Sequence, residues 1–311
     1  MAKPVISVVL TCDYGVGTPA AWDVLKSVLR ALSRQDFSEP VEYLLVESEV
    51  LAPEALLDLK TILPDLRLIT CDAMTSPVMK NAGVRAASAD LIAMFDGDSI
   101  PHPGWLRHFV DFMRLHPQAT AVSGRTRYGT VKFIDRAMAL VTRSYLDEGK
   151  IAETRHLTDN NVGLRRAAFL THPFAETVGP HMSLLRSEPL TRGGAKLFFH
   201  PELCVQHDYN GWTDEKEIRR SLGYGVIRTR RLNPELPYAS IARLGWFSVP
   251  LFITARILHS WLNCVRCAKW YGVARYELPL VFALAAAACM MEAPGMFRAV
   301  RGQPLGRTAF R

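Results

Sequence analysis

"VMKNAGVRAASADLIAMFDGDSIPHPGWL", residues 78–106, is the stretch on which the reading of this chain turns. Residues 78–88 read as a helix, and residues 91–95 form an unbroken apolar run ending in Asp96, Gly97 and Asp98. A helix leading into five consecutive apolar residues is the pattern of a strand buried on both faces. Two carboxylates one residue apart at the end of such a strand repel each other unless something positive lies between them and a partner. The plain alternative is a turn, because Asp and Gly are ordinary turn residues and Pro101, Pro103 and Gly104 follow closely. The flanking sequence decides between the two.

Upstream, "VISVVLT" (5–11) reads as a buried strand and "AAWDVLKSVLRALSRQ" (20–35) as an amphipathic helix. "VEYLLVE" (41–47) is a second strand, "PEALLDLKTIL" (53–63) a helix and "LRLIT" (66–70) a third strand. Strands and helices alternating in this way predict an α/β fold with a mostly parallel sheet and helices on both faces. Ligands of such sheets bind beyond the carboxyl ends of the strands. Asp96 and Asp98 stand at that edge with Asp13, Glu47 and Ser48. The turn reading weakens.

Downstream, "ATAVSGRT" (119–126) and "NNVGLRRAAF" (160–169) read as strand-to-loop and strand-to-helix passages. "AKLFFHPELCVQH" (195–207) reads as two short strands around Pro201. The texture changes after residue 213, where "DEKEIRRSLGYGVIRTRRL" predicts a basic helix. Two apolar segments follow, at 244–262 and 278–291. The second would be about 21 Å long as a helix, short of a hydrocarbon core of ~30 Å. The first carries Pro250, Arg256 and His259. Neither is a clean span, and apolar residues beside Arg and Lys suit helices lying in a membrane interface. A buried helical subdomain is the competing reading. The expected division is therefore 1–215, an α/β domain, and 216–311, a basic amphipathic helical region.

The charge distribution points the same way. The chain is formally +7, yet residues 216–275 hold eleven Lys and Arg against only Glu217 and Glu235. Basic residues interleaved with apolar runs favour an anionic membrane surface over nucleic acid, and no nucleic-acid partner is expected. Of six cysteines, only Cys264 and Cys267 form a C-x-x-C. Without a second pair or nearby histidines they read as packing residues, not as a zinc or redox site. The N-terminus enters a strand directly with no signal peptide visible, so the catalytic part is expected at the cytoplasmic face of the membrane.

The block "KNAGVRAASADLIAMFDGDSIPHPGWL" resembles the family-2 glycosyltransferases of the GT-A fold, enzymes that move a sugar from a nucleotide-sugar donor. The resemblance runs over roughly residues 5–230. "VISVVLTCDYG" is similar to the family's first strand and nucleotide-facing loop, "EYLLVES" to its second strand, and "NNVGLRRAAF" to an acceptor-side block. "HPELCVQHDY" is similar to a late strand pair ending in His, and the apolar tail resembles members acting on membrane-associated acceptors. The resemblance implies a D-x-D metal site for Mn²⁺ or Mg²⁺, with Asp98 and Asp96 at the metal and His207 as a further ligand. It implies donor contacts from Thr11, Asp13, Glu47, Lys80, Asn81 and Asp96. The implied function is a metal-dependent, inverting, hexosyltransferase-like glycosyltransferase acting on a lipid-linked or membrane-proximal glycan acceptor.

The chain departs from the family at one point. Counting back from Arg186, the acidic pair that supplies the general base falls on Pro180 and His181. An imidazole is a competent base near neutral pH, so His181 is expected in that role, with Glu176 and Glu188 as alternatives. Two other classes remain at this stage. One is a non-catalytic nucleotide-sugar-binding protein, favoured by the missing acids. The other is a nucleotidyltransferase, disfavoured because "TCDYGVGTPA" holds no Arg or Lys.

Overall fold

The computed structural model describes residues 3–12, 19–48, 58–72, 75–176 and 182–305. Four strands form a parallel half-sheet: β1 (Ile6–Thr11), β2 (Val41–Ser48), β3 (Leu66–Cys71) and β4 (Leu91–Asp96). Helix α1 (Pro19–Ser33) covers one face and α2 (Ser76–Ala86) the other. The period-two alternation of a strand explains the division. Ile6, Val8 and Leu10 pack with Leu25, Leu29 and Leu32 of α1, while Val9 packs with Met79 and Val84 of α2. Gly83 lets α2 approach closely, since a Cβ there would lie 2.4 Å from Val9 Cγ1.

The second half of the sheet is mixed. Strand β8 (Asn161–Arg165) is antiparallel to both β4 and β6 (Ala119–Arg127), and β6 runs parallel to β9 (Lys196–Gln206). The short strands β5 (Ile100–Pro101) and β7 (Ala152–Thr154) add antiparallel to β9. The order is β3-β2-β1-β4-β8-β6-β9-β5, with β7 on β9 outside that path. The two short strands expected around Pro201 are one strand, β9, with a break in register. Gly124 pairs with His200, but Thr126 pairs with Val205. The bulged residues fold over Gly124, where a Cβ would meet Leu203 O at 1.6 Å. Helices α3 (Trp105–Leu115) and α4 (Phe133–Arg143) flank this half, followed by α5 (Arg166–Thr171) and α6 (Met182–Arg192).

Beyond the sheet come α7 (Trp212–Leu232), α8 (Ser248–Cys267), α9 (Leu278–Met290) and α10 (Ala293–Val300). One cluster joins Tyr128, Ala137 and Leu140 to Cys264, Cys267, Val281 and Ala285, so α8 and α9 share a core with α4. The thiols are free, and among the described residues no three or more His, Cys, Asp or Glu side chains are grouped so that they could hold a metal ion by themselves. Among the described residues, one run, Arg275–Val300, is long and apolar enough to cross a membrane. Its second half is locked to protein. A Cβ on Gly295 would lie 1.8 Å from Arg220 O, and one on Gly223 2.0 Å from Glu292 O, so α7 and α10 cross backbone against backbone. Glu292, fully buried in the same run, is ion-paired with Arg219 (3.3 Å) and Arg256 (2.5 Å).

Candidate functional site

The carboxyl ends of β1, β2 and β4 form one edge because the three strands are in register. Thr11 lies opposite both Val46 and Asp96, so Glu47 and Asp96 emerge on either side of it. The Gly97 amide donates to Thr11 O at 2.8 Å, and a Cβ at Gly97 would sit 2.9 Å from Cys12 Sγ. That closeness explains the glycine between the two aspartates. Glu47 is fully buried at the end of β2, and Thr11 is buried beside it. Asp13 and His181 lie outside the described residues, as does the side chain of Ser48.

Each aspartate of the D-x-D has a different cation. Asp96 Oδ1 pairs with Lys80 Nζ at 2.7 Å, and Lys80, on α2, is fully buried. Asp98 Oδ2 pairs with His207 Nε2 at 3.0 Å. His207 follows β9, and its position is fixed from both sides. Its amide donates to Arg127 O (2.7 Å), and its Nδ1 donates to Asp208 O (2.7 Å). Burial opposes charge on His207, but Asp98 outweighs it and lifts the imidazole to about 9. Burial likewise pushes the Asp98 carboxyl up, yet His207 and Arg143 together hold it below the ordinary carboxylate value.

Two residues at this site carry no signal in the motif. The Tyr128 ring is 5.5 Å from the His207 ring, and the Arg143 guanidinium lies 5.7 Å over Tyr128. Both come from the end of β6 and the end of α4, far from the D-x-D in sequence. Only the strand order could have found them.

Other expected residues sit apart from this cluster. Asn81 is buried and spends its amide on the chain: it accepts from Phe174 N (3.0 Å) and donates to Phe174 O (2.9 Å) and Glu176 Oε1 (3.0 Å). Glu176 is exposed, and its carboxyl is lowered by Asn81 and by Arg85 at 3.3 Å. Glu188 lies on α6, 3.7 Å from Arg192. Arg186, on the same helix, is buried between the rings of Phe169 (4.5 Å) and Phe174 (4.7 Å), and burial pushes its guanidinium down to about 10. Asn161 of the "NNVG" block is a pin: it accepts from Trp105 Nε1 (2.9 Å) and donates to Leu203 O (2.9 Å).

The donor set suits a hard divalent cation. Asp98 Oδ1 is buried with no hydrogen-bond partner among the described residues, and the imidazole of His207 stands against the same carboxylate. Carboxylate oxygen and one imidazole suit Mn²⁺ or Mg²⁺ when substrate phosphates complete the shell.

The model of glycosyl transferase family 2 matches residues 16–176, more than half of the chain. The chain belongs to this family. It is a glycosyltransferase, and its fold is that of the GT-A enzymes. TarS 1–349 of S. aureus, in complex with UDP-GlcNAc, superposes with a TM-score of 0.54 at 12% identity, covering 96% of this chain and 92% of that one. The mannosyltransferase PcManGT from Pyrobaculum calidifontis, in complex with GDP-Man and Mn²⁺, gives a TM-score of 0.57 at 15% identity, with coverages of 96% and 85%. At such identities the likeness is one of fold. No curated protein matches the sequence of this glycosyltransferase.

Proposed function

We propose that this glycosyltransferase moves a hexose from a nucleoside-diphosphate donor to a lipid-linked or membrane-proximal glycan acceptor, with inversion, at the cytoplasmic face of a membrane. The observation that carries the donor half is the paired carboxylate edge: Asp96 held by Lys80, and Asp98 held by His207 with one oxygen left over. A bound Mn²⁺ or Mg²⁺ would neutralise the negative charge that gathers on the diphosphate as the glycosidic bond breaks. Asp98 and His207 would hold the ion, with Asp96 at its water shell or the ribose. Lys80 fixes Asp96 and adds positive potential beneath the phosphates. Thr11 and Glu47, at the ends of β1 and β2, are placed in this reading against ribose and base, together with Asp13. Asn81 acts one step back, by anchoring the chain at Phe174 and Glu176.

Inversion needs a base that takes the acceptor proton. Glu176 is engaged by Asn81 and Arg85, and its lowered carboxyl is a weaker base for it. Glu188 faces Arg192. His181 remains the better choice, and it precedes α6. The acceptor half rests on the region from 216 onward. Leu251, Ala255, Leu258, Leu262 and Val265 form an exposed apolar stripe at helical spacing along α8, and Leu280, Ala283 and Met290 are exposed on α9, which packs beside it. Arg243, Arg266, Lys269 and Arg275 are exposed around them. Apolar stripes flanked by cations favour a peripheral seat on anionic lipid. The buried Glu292 pairs argue for lying on the bilayer over crossing it.

Titration calorimetry on the full chain tests the donor half. UDP and GDP are titrated with and without Mn²⁺ into the wild type and Asp98→Asn. The wild type should show an affinity gain with metal, and the variant should lose that gain while keeping its fold. An undiminished gain in the variant would remove Asp98 from the metal site.

A further inference from the structure

Tyr128 also lines a cavity of about 330 Å³. It is at the lower end of the ~300–1,000 Å³ usual for small-molecule sites. Its wall is basic and aromatic, with Arg127, Arg136 and Lys269 beside Tyr128, Trp270 and Tyr271, and none of its lining residues is acidic. Arg127 and Arg136 come from the end of β6 and from α4. Lys269, Trp270 and Tyr271 come from the turn after α8. The cavity is therefore built where the sheet meets the helical region.

Two of the three cations in this wall have no carboxylate partner among the described residues. Arg127 donates only to Trp270 O (3.3 Å), and Lys269 Nζ stands 5.1 Å over the Trp270 ring. Arg136 gives one nitrogen to Glu277 (2.9 Å). Its Nε, the Nε of Arg127 and the hydroxyl of Tyr271 are buried without a hydrogen-bond partner among the described residues. Tyr271 itself is 6% exposed. Two further acids stand near: Asp135 lies against Gly129, where a Cβ would meet its Oδ2 at 2.6 Å, and Asp147, which acts on Tyr271, is paired with Arg125 at 2.5 Å. A wall that carries Arg127, Arg136 and Lys269 and no acidic lining residue selects an oxyanion, and guanidinium forks suit phosphate above all.

We propose that this cavity binds a phosphate group carried by the acceptor. The proposal rests on the glycosyltransferase reading above and names the acceptor's chemical class. The cavity has the position for it. Tyr128 lines it and also touches His207, so a phosphate there lies one aromatic ring from the Asp98 side of the donor site. It also opens at the end of α8, whose outer face carries Leu258, Leu262 and Val265. A phosphate joined to a hydrocarbon chain would have an apolar track beside it; a soluble phosphorylated acceptor would use the cavity alone.

Equilibrium binding to the full chain separates these cases. The probes are inorganic phosphate, decyl phosphate below its micellar concentration, and decanol as the uncharged control. UDP and GDP with Mn²⁺ are titrated in parallel. Both phosphate probes should bind the wild type, and Arg127→Gln and Lys269→Ala should each weaken them about tenfold or more. Nucleoside-diphosphate binding should stay within about twofold in both variants, which also reports that they are folded. Decyl phosphate binding at least tenfold more tightly than inorganic phosphate assigns a lipid source, and equal affinity assigns a soluble one. Decanol binding as well as decyl phosphate, phosphate binding indifferent to both substitutions, or no phosphate binding by a wild type that binds nucleotide each overturns the proposal. If phosphate binds and responds to the substitutions while no nucleoside diphosphate does, the donor reading fails and the cavity assignment stands.

Discussion

Lys80→Met removes one partner of a buried pair and tests whether the donor edge is held together by it. Lys80 is fully buried, Asp96 retains 13% side-chain exposure, and the charges are 2.7 Å apart. At an effective dielectric of ~20, that separation corresponds to about 6 kcal/mol of attraction, set against several kcal/mol of desolvation for each ion. Breaking a buried pair on one side typically costs about 3–5 kcal/mol, because the remaining charge is stranded. The residual exposure of Asp96 places this case near 3 kcal/mol. In a chain of this size that lowers Tm by roughly 5 °C. Lys80→Met/Asp96→Asn strands no charge and should recover at least about 2 kcal/mol relative to the sum of the single changes. Urea denaturation of all four proteins, with chelator and without nucleotide, measures the cycle. A Lys80→Met protein within about 1 kcal/mol of the wild type, or additive single changes, would refute the reasoning.

His181→Ala should cut turnover by about a hundredfold with nucleotide affinity unchanged, while Glu176→Gln and Glu188→Gln stay within about tenfold; steady-state kinetics beside calorimetry separates these, and a dead glutamate variant with an active His181→Ala moves the base to that carboxylate. Leu258→Asp with Leu262→Asp should abolish cosedimentation with anionic vesicles and leave nucleotide binding intact, and wild-type binding should weaken with salt. His200 supplies a pH test. Burial, aided by His108 and His116 and opposed by Glu202, pushes it down to about 4. A group whose folded pKa is depressed stabilises above its unfolded value, near 6.5, and that stability is lost as pH falls towards 4. The loss should be at most about 3 kcal/mol, and His200→Phe should flatten the urea midpoint between pH 6.5 and 4 if this group is responsible.

The sequence by itself determined the parallel half of the molecule and which residues stand at its carboxyl edge. The alternation of short apolar runs such as 91–95 with helical stretches marks strands buried on both faces, and a strand's end is local, so the positions of Thr11, Glu47 and Asp96 at that edge were legible in one dimension. Lys80 was found by its motif, although its pairing with Asp96 depends on the approach of α2 that Gly83 permits. What only the tertiary structure decided is whatever depends on strand order. Strand β8 enters antiparallel between β4 and β6, which no periodicity announces, because a side-chain period of two is the same for either direction. That order sets β9 beside β6 and so brings His207 to Asp98, and Tyr128 and Arg143 to His207. Asn81, a donor contact in the resemblance, hydrogen-bonds in three dimensions to the backbone of Phe174 on a segment 93 residues away, which no local pattern announces. The apolar tail shows the same limit. Residues 278–291 were apolar but too short to read as a span, and what packs against the run that contains them was set by Gly223, Gly295 and the buried Glu292, whose partners lie on α7 and α8. Composition is summed along the chain, whereas burial of a charge depends on which cation the fold carries to it.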